Sequence, residues 1–508
     1  MSDLVATLRS SVSGEVVAPG DDGYDTARAV WNGDIDREPL AVVRPVDAAA
    51  VVACVRAATA AGADFTVRGG GHNYAGHAVA DGAVMIDLSA LDAVVVDPAT
   101  KRATVGGGAT WAALDGASAA HGLAMTGGFI SHTGVAGLTL GGGIGWLTRR
   151  CGLACDHLVG AEVVTADGQV VRASATDNAD LFWALRGGGG NFGIVTEFEF
   201  ALHEVAPMAN LGLFFWTPDR ARDALRFARD YIHQLPADAG GLIAGMSAPP
   251  MPFVPEELHF KPGFGVMVTN WGTPEEHAAA IEPLRALGPT FEFVTPIPYA
   301  ALQQMFDVQA EWGSLAYEKA AYLDAITDDV VDLMIEYVPR ISSPATFAPI
   351  FPLSGRYLEV GDDDTAFGGR RTQGWVFNIS AAAPPAMADL FAADRAWVRE
   401  FWTAVRPYAR DSGSYVNFIA EEDDDRVRAT YGPEVRPARC GEGHLGPDQR
   451  VPAQREHPPG RLTGARARLA NSAVCAFSCL PRHSPWPSPR RSSTRPRPAA
   501  TAWPRCTA

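Results

Sequence analysis

The chain has 508 residues, 47% of them hydrophobic and 20% charged, with a formal net charge of −16; this is an ordinary globular composition with room for more than one domain. The charge is divided, because positions 436–508 hold thirteen Arg, no Lys and three acidic residues, or +10, which leaves −16 − 10 = −26 on the rest. An acidic body of that size repels nucleic acid and anionic membrane, and with no opening apolar h-region and no apolar run of spanning length, neither a secretory signal nor a membrane helix is expected and the cytoplasm is the default location.

Residues 1–35 read as a helix-containing lead-in. From Leu40, LAVVRPVD reads as a strand and 47–61 as an Ala/Val-rich helix, and a further strand runs into VRGGGHNYAG at 67–76. Three successive glycines there leave backbone N–H groups uncovered, able to approach an anion, and a histidine follows at once, His72. AVMIDLS (83–89) is a strand, and short alternating strands continue around the turn at Asp97-Pro98. Residues 110–123 read as a helix capped by Thr110. The segment 126–153, TGGFISHTGVAGLTLGGGIGWLTRRCGL, is too dense in glycine for a stable helix or a good strand. A chain gives up that much backbone entropy where it wraps something closely.

Strands over 156–165 and 169–173 flank a turn at 166–168, and the helix DNADLFWALRG leads into GGGGNFG and the strand GIVTEFEFAL. A formal GxGxxG is present at Gly188, Gly190 and Gly193, but it follows a helix and precedes a strand. A dinucleotide fingerprint requires the opposite order, so a Rossmann reading fails. From about 205 to 410, strands such as LGLFFW and FGVMVTNWG alternate with helices such as TPDRARDALRFARDYIHQL. This is an α+β texture suited to substrate selection, with Trp216, Trp271, Trp312 and Trp375 expected in its core. The seven cysteines show no paired metal-ligand spacing, so they read as free thiols and no metal site is expected.

Taken in order, VRGGGHNYAG, TGVAGLTLGGGIGWL, GLACDHL, EVVTADG, DLFWALRGGGGNFGIVTEFEF and SYVNF resemble the berberine-bridge-enzyme-like FAD-linked oxidoreductases of the vanillyl-alcohol-oxidase class, over roughly residues 35–435. The resemblance implies an α+β protein with a PCMH-type FAD-binding domain (36–204, two α/β subdomains around the cofactor). It also implies a substrate domain with an antiparallel sheet covered by helices (205–410) and a return segment (411–435). On the same ground Arg68, Gly69, Gly70, Gly71, His72 and Asn73, with Gly76 and His77, hold the FAD pyrophosphate, and His72 is joined to the flavin 8α-methyl. Gly127, Gly128, Thr133, Gly134, Gly137, Leu138, Thr139, Gly141, Gly142 and Gly145 line the flavin and ribityl chain. Gly193 and Val195 form a further wall, and SYVNF, as the family's return strand, places Tyr415 and Asn417 at the flavin. Many relatives carry a second link through a cysteine four residues before the glycine matched by Gly134; Ile130 stands there, which implies attachment through His72 alone. Phe418 replaces a tyrosine common at its position.

The function implied is FAD-dependent oxidation of a CH–OH or CH–NH group in a small molecule (a sugar, alkaloid or other secondary metabolite) by hydride transfer to flavin N5, with O₂ as acceptor. Tyr415 is the candidate base, provided its phenol falls below the ordinary pKa of about 10. The alternative is a non-catalytic flavin-binding protein disabled by its altered C-terminus. Read one base out of frame with permitted codons, Glu442–Pro458 gives KATWDPTNVFRLNANIP, which matches the family's usual ending. Residues 436–508 are therefore expected to be a frameshifted, disordered Arg/Pro-rich tail.

Overall fold

The computed structural model describes residues 2–410 and 413–421; the frameshift reading of 436–508 falls outside that range. The first sheet runs Gly14–Val17, Ala41–Pro45, Val84–Asp87, Phe65–Arg68, with the first strand antiparallel and the others parallel. The helix Ala48–Ala60 is the crossover from Ala41–Pro45 to Phe65–Arg68, on the far side of Val84–Asp87. Asp47 caps it by accepting the Ala50 N–H, and Val51, Cys54 and Val55 are buried beneath it. The lead-in is an integral part of this layer: Gly14–Val17 is its edge strand, and Trp31 and Asn32 reach across to a distant segment. The Trp31 indole donates to the Ala310 carbonyl at 2.7 Å, and the Asn32 side chain bonds both the N–H and the C=O of Ala316.

The second sheet is antiparallel, in the order Val94–Asp97, Arg102–Gly106, Ile194–Ala201, Leu158–Val164, Val170–Ser174. The third, seven-stranded and antiparallel, runs Phe291–Pro298, Met208–Trp216, Pro262–Asn270, Ala239–Ser247, Phe347–Leu353, Gly374–Ala383, Leu315–Leu323. On one face the helices Ala221–Tyr231, Asp328–Tyr337 and Ala388–Val405 bury a core that includes Phe214, Trp216, Phe377 and Phe401. On the other face Leu213, Met267, Tyr322, Phe351 and Val376 pack against Ile144, Trp146, Leu147 and Tyr415 of the remaining elements. This second face positions the site. Among the described residues, no helix is long and apolar enough to cross a membrane.

Three expectations need correction. Val135–Leu140 forms a short helix inside the glycine-dense segment, because burying Val135, Ala136 and Leu140 overrides weak local propensity. SYVNF is not a strand: Val416–Phe418 is a 3₁₀ turn. Trp216, Trp271 and Trp375 are buried, but Trp312 is 50% exposed.

Candidate functional site

The strand Phe65–Arg68 delivers the glycine loop, and the Arg68 guanidinium braces it from behind. That side chain donates to the carbonyls of Ala27 and Ala29 at 3.0 and 2.7 Å and pairs with fully buried Asp87, which Arg44 also contacts at 2.8 Å. Burial pushes the Asp87 carboxyl up, and the Arg68 hydrogen bond and charge, helped by Arg44, more than reverse it. The Arg68 guanidinium is thus committed to Ala27, Ala29 and Asp87 behind the loop. Beyond it, Gly71 (φ 69°) and Gly76 (φ 71°) turn through the left-handed region. The N–H groups of four consecutive residues, Gly70, Gly71, His72 and Asn73, donate to no acceptor among the described residues. Such a run of free donors is an anion-binding concavity.

His72 sits at the centre. Trp31 stacks on its ring at a centroid distance of 5.0 Å, Trp312 meets it edge-on at 6.0 Å, and its Nε2 lies 2.7 Å from Nδ1 of His132. Burial, reinforced by His132, lowers the His72 pKa to about 3. The imidazole is thus neutral at physiological pH, with a lone pair on one of its two ring nitrogens. Burial also lowers His132, against the pull of Asp307. His132 was missed in the sequence, where the available signal was an imidazole in each glycine-rich segment, and Trp312 was expected in a core instead.

Most of the second glycine set serves contact of the chain with itself. A Cβ on Gly70 or Gly134 would overlap the other's amide, one on Gly141 would strike the Asn417 side chain, one on Gly142 would strike Phe367, and one on Gly145 the Gly127 carbonyl. Gly127 faces Trp111 and Gln303, Gly128 touches Leu138, and Gly69 faces the Gly107 carbonyl. Thr133 accepts the Trp111 N–H, and Gly107 is held close to the strand carrying Val195, just after the bend at Gly193. Gly137 opens on free space, and near it the Thr139 hydroxyl is buried without a hydrogen-bond partner among the described residues. His77 is exposed, its N–H held by Asn73 Oδ1 at 3.2 Å.

Tyr415 is 1% exposed. Its oxygen receives the N–H groups of Gly143 (2.8 Å) and Ile144 (3.1 Å) and the Asn417 amide (2.9 Å), while Asn417 also donates to the Leu138 carbonyl at 3.0 Å. Burial drives the phenol well above its ordinary value despite those donors. A base needs the opposite shift, so this pair is read as an anchor for the 138–144 loop. Cys151 and Cys155 are buried, and burial raises both thiols, Cys151 to about 11, so neither offers a thiolate.

Phe351 of the seven-stranded sheet joins an aromatic wall with the other segments, stacked on Phe129 at 4.6 Å and 5.8 Å from Phe418, with Trp146 5.0 Å from Phe129. The sheet also contributes a polar patch, in which the Asn378 amide donates to Glu318 at 2.9 Å. FAD fits what the chain offers: free amides for a pyrophosphate, a neutral imidazole, an open glycine and an orphaned hydroxyl.

Known proteins agree. Residues 39–174 match the family model described as an FAD binding domain. The chain is 31% identical over 464 residues to FAD-linked oxidoreductase pgmH of Aspergillus terreus, covering 85% of this chain and 91% of that one. It is 34% identical over 323 residues to (R)-6-hydroxynicotine oxidase of Paenarthrobacter nicotinovorans, covering 62% and 66%. BBE-like 1 of Physcomitrella patens superposes with a TM-score of 0.73 at 23% identity, over 85% of this chain and 94% of that one, a likeness of fold.

Proposed function

This chain belongs to the FAD-linked oxidoreductases, and from that premise we propose that it oxidises a CH–OH or CH–NH group of a small molecule, with the flavin attached to His72 alone and O₂ as electron acceptor. The observation carrying this reading is neutral His72 set within four free backbone donors. When bound, FAD supplies the hydride acceptor. The amides of Gly70–Asn73 hold the pyrophosphate, and His72 is the attaching nucleophile, oriented by the contact of its Nε2 with His132. Tyr415 and Asn417 fix the 138–144 loop, and the aromatic wall excludes water from the reacting carbon. Sugars, alkaloids and other secondary metabolites are the substrate classes, and the cytoplasm is the proposed location.

The test is a screen of purified protein for H₂O₂ release against sugars, alcohols and amines. Release from at least one class, with anaerobic bleaching of the flavin by the same compound, is expected. A yellow protein that no class bleaches would favour a non-catalytic flavin binder.

A further inference from the structure

Glu318 lies in the middle of the strand Leu315–Leu323, in register with Ser380, and Ala320 is in register with Asn378. Alternation places Glu318 and Tyr322 on one face and Tyr317 and Lys319 on the other. Lys319 lies 5.1 Å over the Trp402 ring, on the helix-covered side, so Glu318 points into the seam between this sheet and the His72 loop. There the Tyr74 hydroxyl, two residues beyond His72, contacts Glu318 and Ser380. The Tyr74 ring meets Trp31, the residue stacked on His72, edge-on at 5.1 Å.

This carboxyl is 0% exposed. Asn378 bonds one of its oxygens, but Glu318 Oε1 and Asn378 Oδ1 have no hydrogen-bond partner among the described residues. No ion pair with Glu318 occurs among them either, and neighbouring Lys319 pairs with Glu421 on the opposite side. Two buried acceptors left unmade and a buried carboxyl without a cation are each costly. Burial accordingly holds the Glu318 pKa well above the ordinary value, with Asn378 and Tyr74 offsetting only part. Both missing partners are donors, and a positive one would also satisfy the charge.

We propose that Glu318 and Asn378 recognise a protonated amine on the substrate, whose N–H groups take the Glu318 Oε1 and Asn378 Oδ1 acceptors. The inference rests on the oxidoreductase reading and adds to its substrate a cationic amine, distinct from the carbon that loses hydride. Entry of the cation ionises Glu318, and the carboxyl proton leaves to solvent. Affinity for the cation therefore rises with pH through the carboxyl's titration, until the amine itself deprotonates.

The experiment titrates flavin-loaded protein with benzylammonium and with its neutral isostere benzyl alcohol, read by the flavin difference spectrum and by thermal melting. The wild type should bind benzylammonium about tenfold or more tightly than benzyl alcohol, the scale of one charged hydrogen bond. Glu318→Gln should erase the preference, and Asn378→Ser should weaken the cation while keeping the preference. Equal binding in the wild type, or a preference that survives Glu318→Gln, would overturn the proposal and assign the patch to a buried water. Hydrogen peroxide formed from a sugar at equal rates in wild type and Glu318→Gln would leave the oxidoreductase reading standing and remove this one. A chain that holds no flavin would sink the oxidoreductase reading, while melting would still report the cation preference.

Discussion

The two sides of the site are built in opposite ways. On the N-terminal side the chemistry is contiguous: Gly70 to Asn73 present their amides in a row, and Gly134 of the second glycine segment packs against Gly70. On the sheet side nothing is contiguous. Glu318 meets Ser380 and Asn378 because two strands pair in a given register, and Tyr74 reaches them from the far loop. A site made of loops is held by backbone approach, and a site made of strands by register and by the seam between the layers. The two should fail differently.

The largest effect is expected at that seam. Arg371, on the loop before the strand Gly374–Ala383, grips Asp156 of the N-terminal half with two hydrogen bonds of 3.0 and 2.7 Å, and both side chains are almost fully buried. Arg371→Ala leaves a buried carboxylate unpaired and should cost about 3–5 kcal/mol, seen as a large fall in denaturation midpoint. A fall no larger than that of an exposed pair such as Arg356–Glu359 would mean the two layers are joined elsewhere.

Asp115 should act in the other direction. It is buried between the helices Trp111–Ala119 and Tyr299–Gln303, bonded by Gln303 at 3.0 Å, and burial raises its pKa to about 7. A folded-state pKa above the unfolded value means that its stability contribution is complete below about pH 4 and is lost as the pH climbs through 7. Asp115→Asn should therefore change little at pH 4 and stabilise the protein by a few kcal/mol, in order of magnitude about 2–4, at pH 8. Melting curves across pH 4–8 measure this; parallel curves for the two proteins would place the titration elsewhere.

Contiguous glycine chemistry was the legible part of the site, because sequence neighbours there are spatial neighbours. Its purpose was only half legible. Gly70, Gly134, Gly141 and Gly145 make room for other parts of the chain as much as for a ligand, and no pattern in one segment names its partner in another. The α+β alternation could be anticipated from strand and helix periods, and the antiparallel sheet from the family resemblance. Glu318 and Asn378 could not, since a lone Glu in LAYEKAAYL reads as a solvated position until register turns it inward. Tyr415 lies beside the loop, but its burial and its three N–H donors are invisible in SYVNF.

Two smaller effects separate the backbone from the side chains on the loop side. Gly70→Ala forces a Cβ against the Gly134 amide and should cost about 1–3 kcal/mol by overpacking, with flavin content falling alongside stability. Unchanged flavin content would show that the two loops dock with slack. Tyr415→Phe removes the acceptor for the Gly143 and Ile144 amides and should cost about 1–2 kcal/mol, with anaerobic flavin reduction slowed less than about tenfold. A slowing of about 10²–10⁴, the usual cost of losing a general base, would restore Tyr415 as the proton acceptor.

The most direct measurement is acid denaturation of the purified chain followed by in-gel flavin fluorescence and peptide mapping. Fluorescence should stay with the polypeptide, map to the peptide containing His72 and vanish in His72→Ala. Flavin that leaves entirely with the acid supernatant of the wild type, or that stays bound in His72→Ala, would contradict attachment at this histidine.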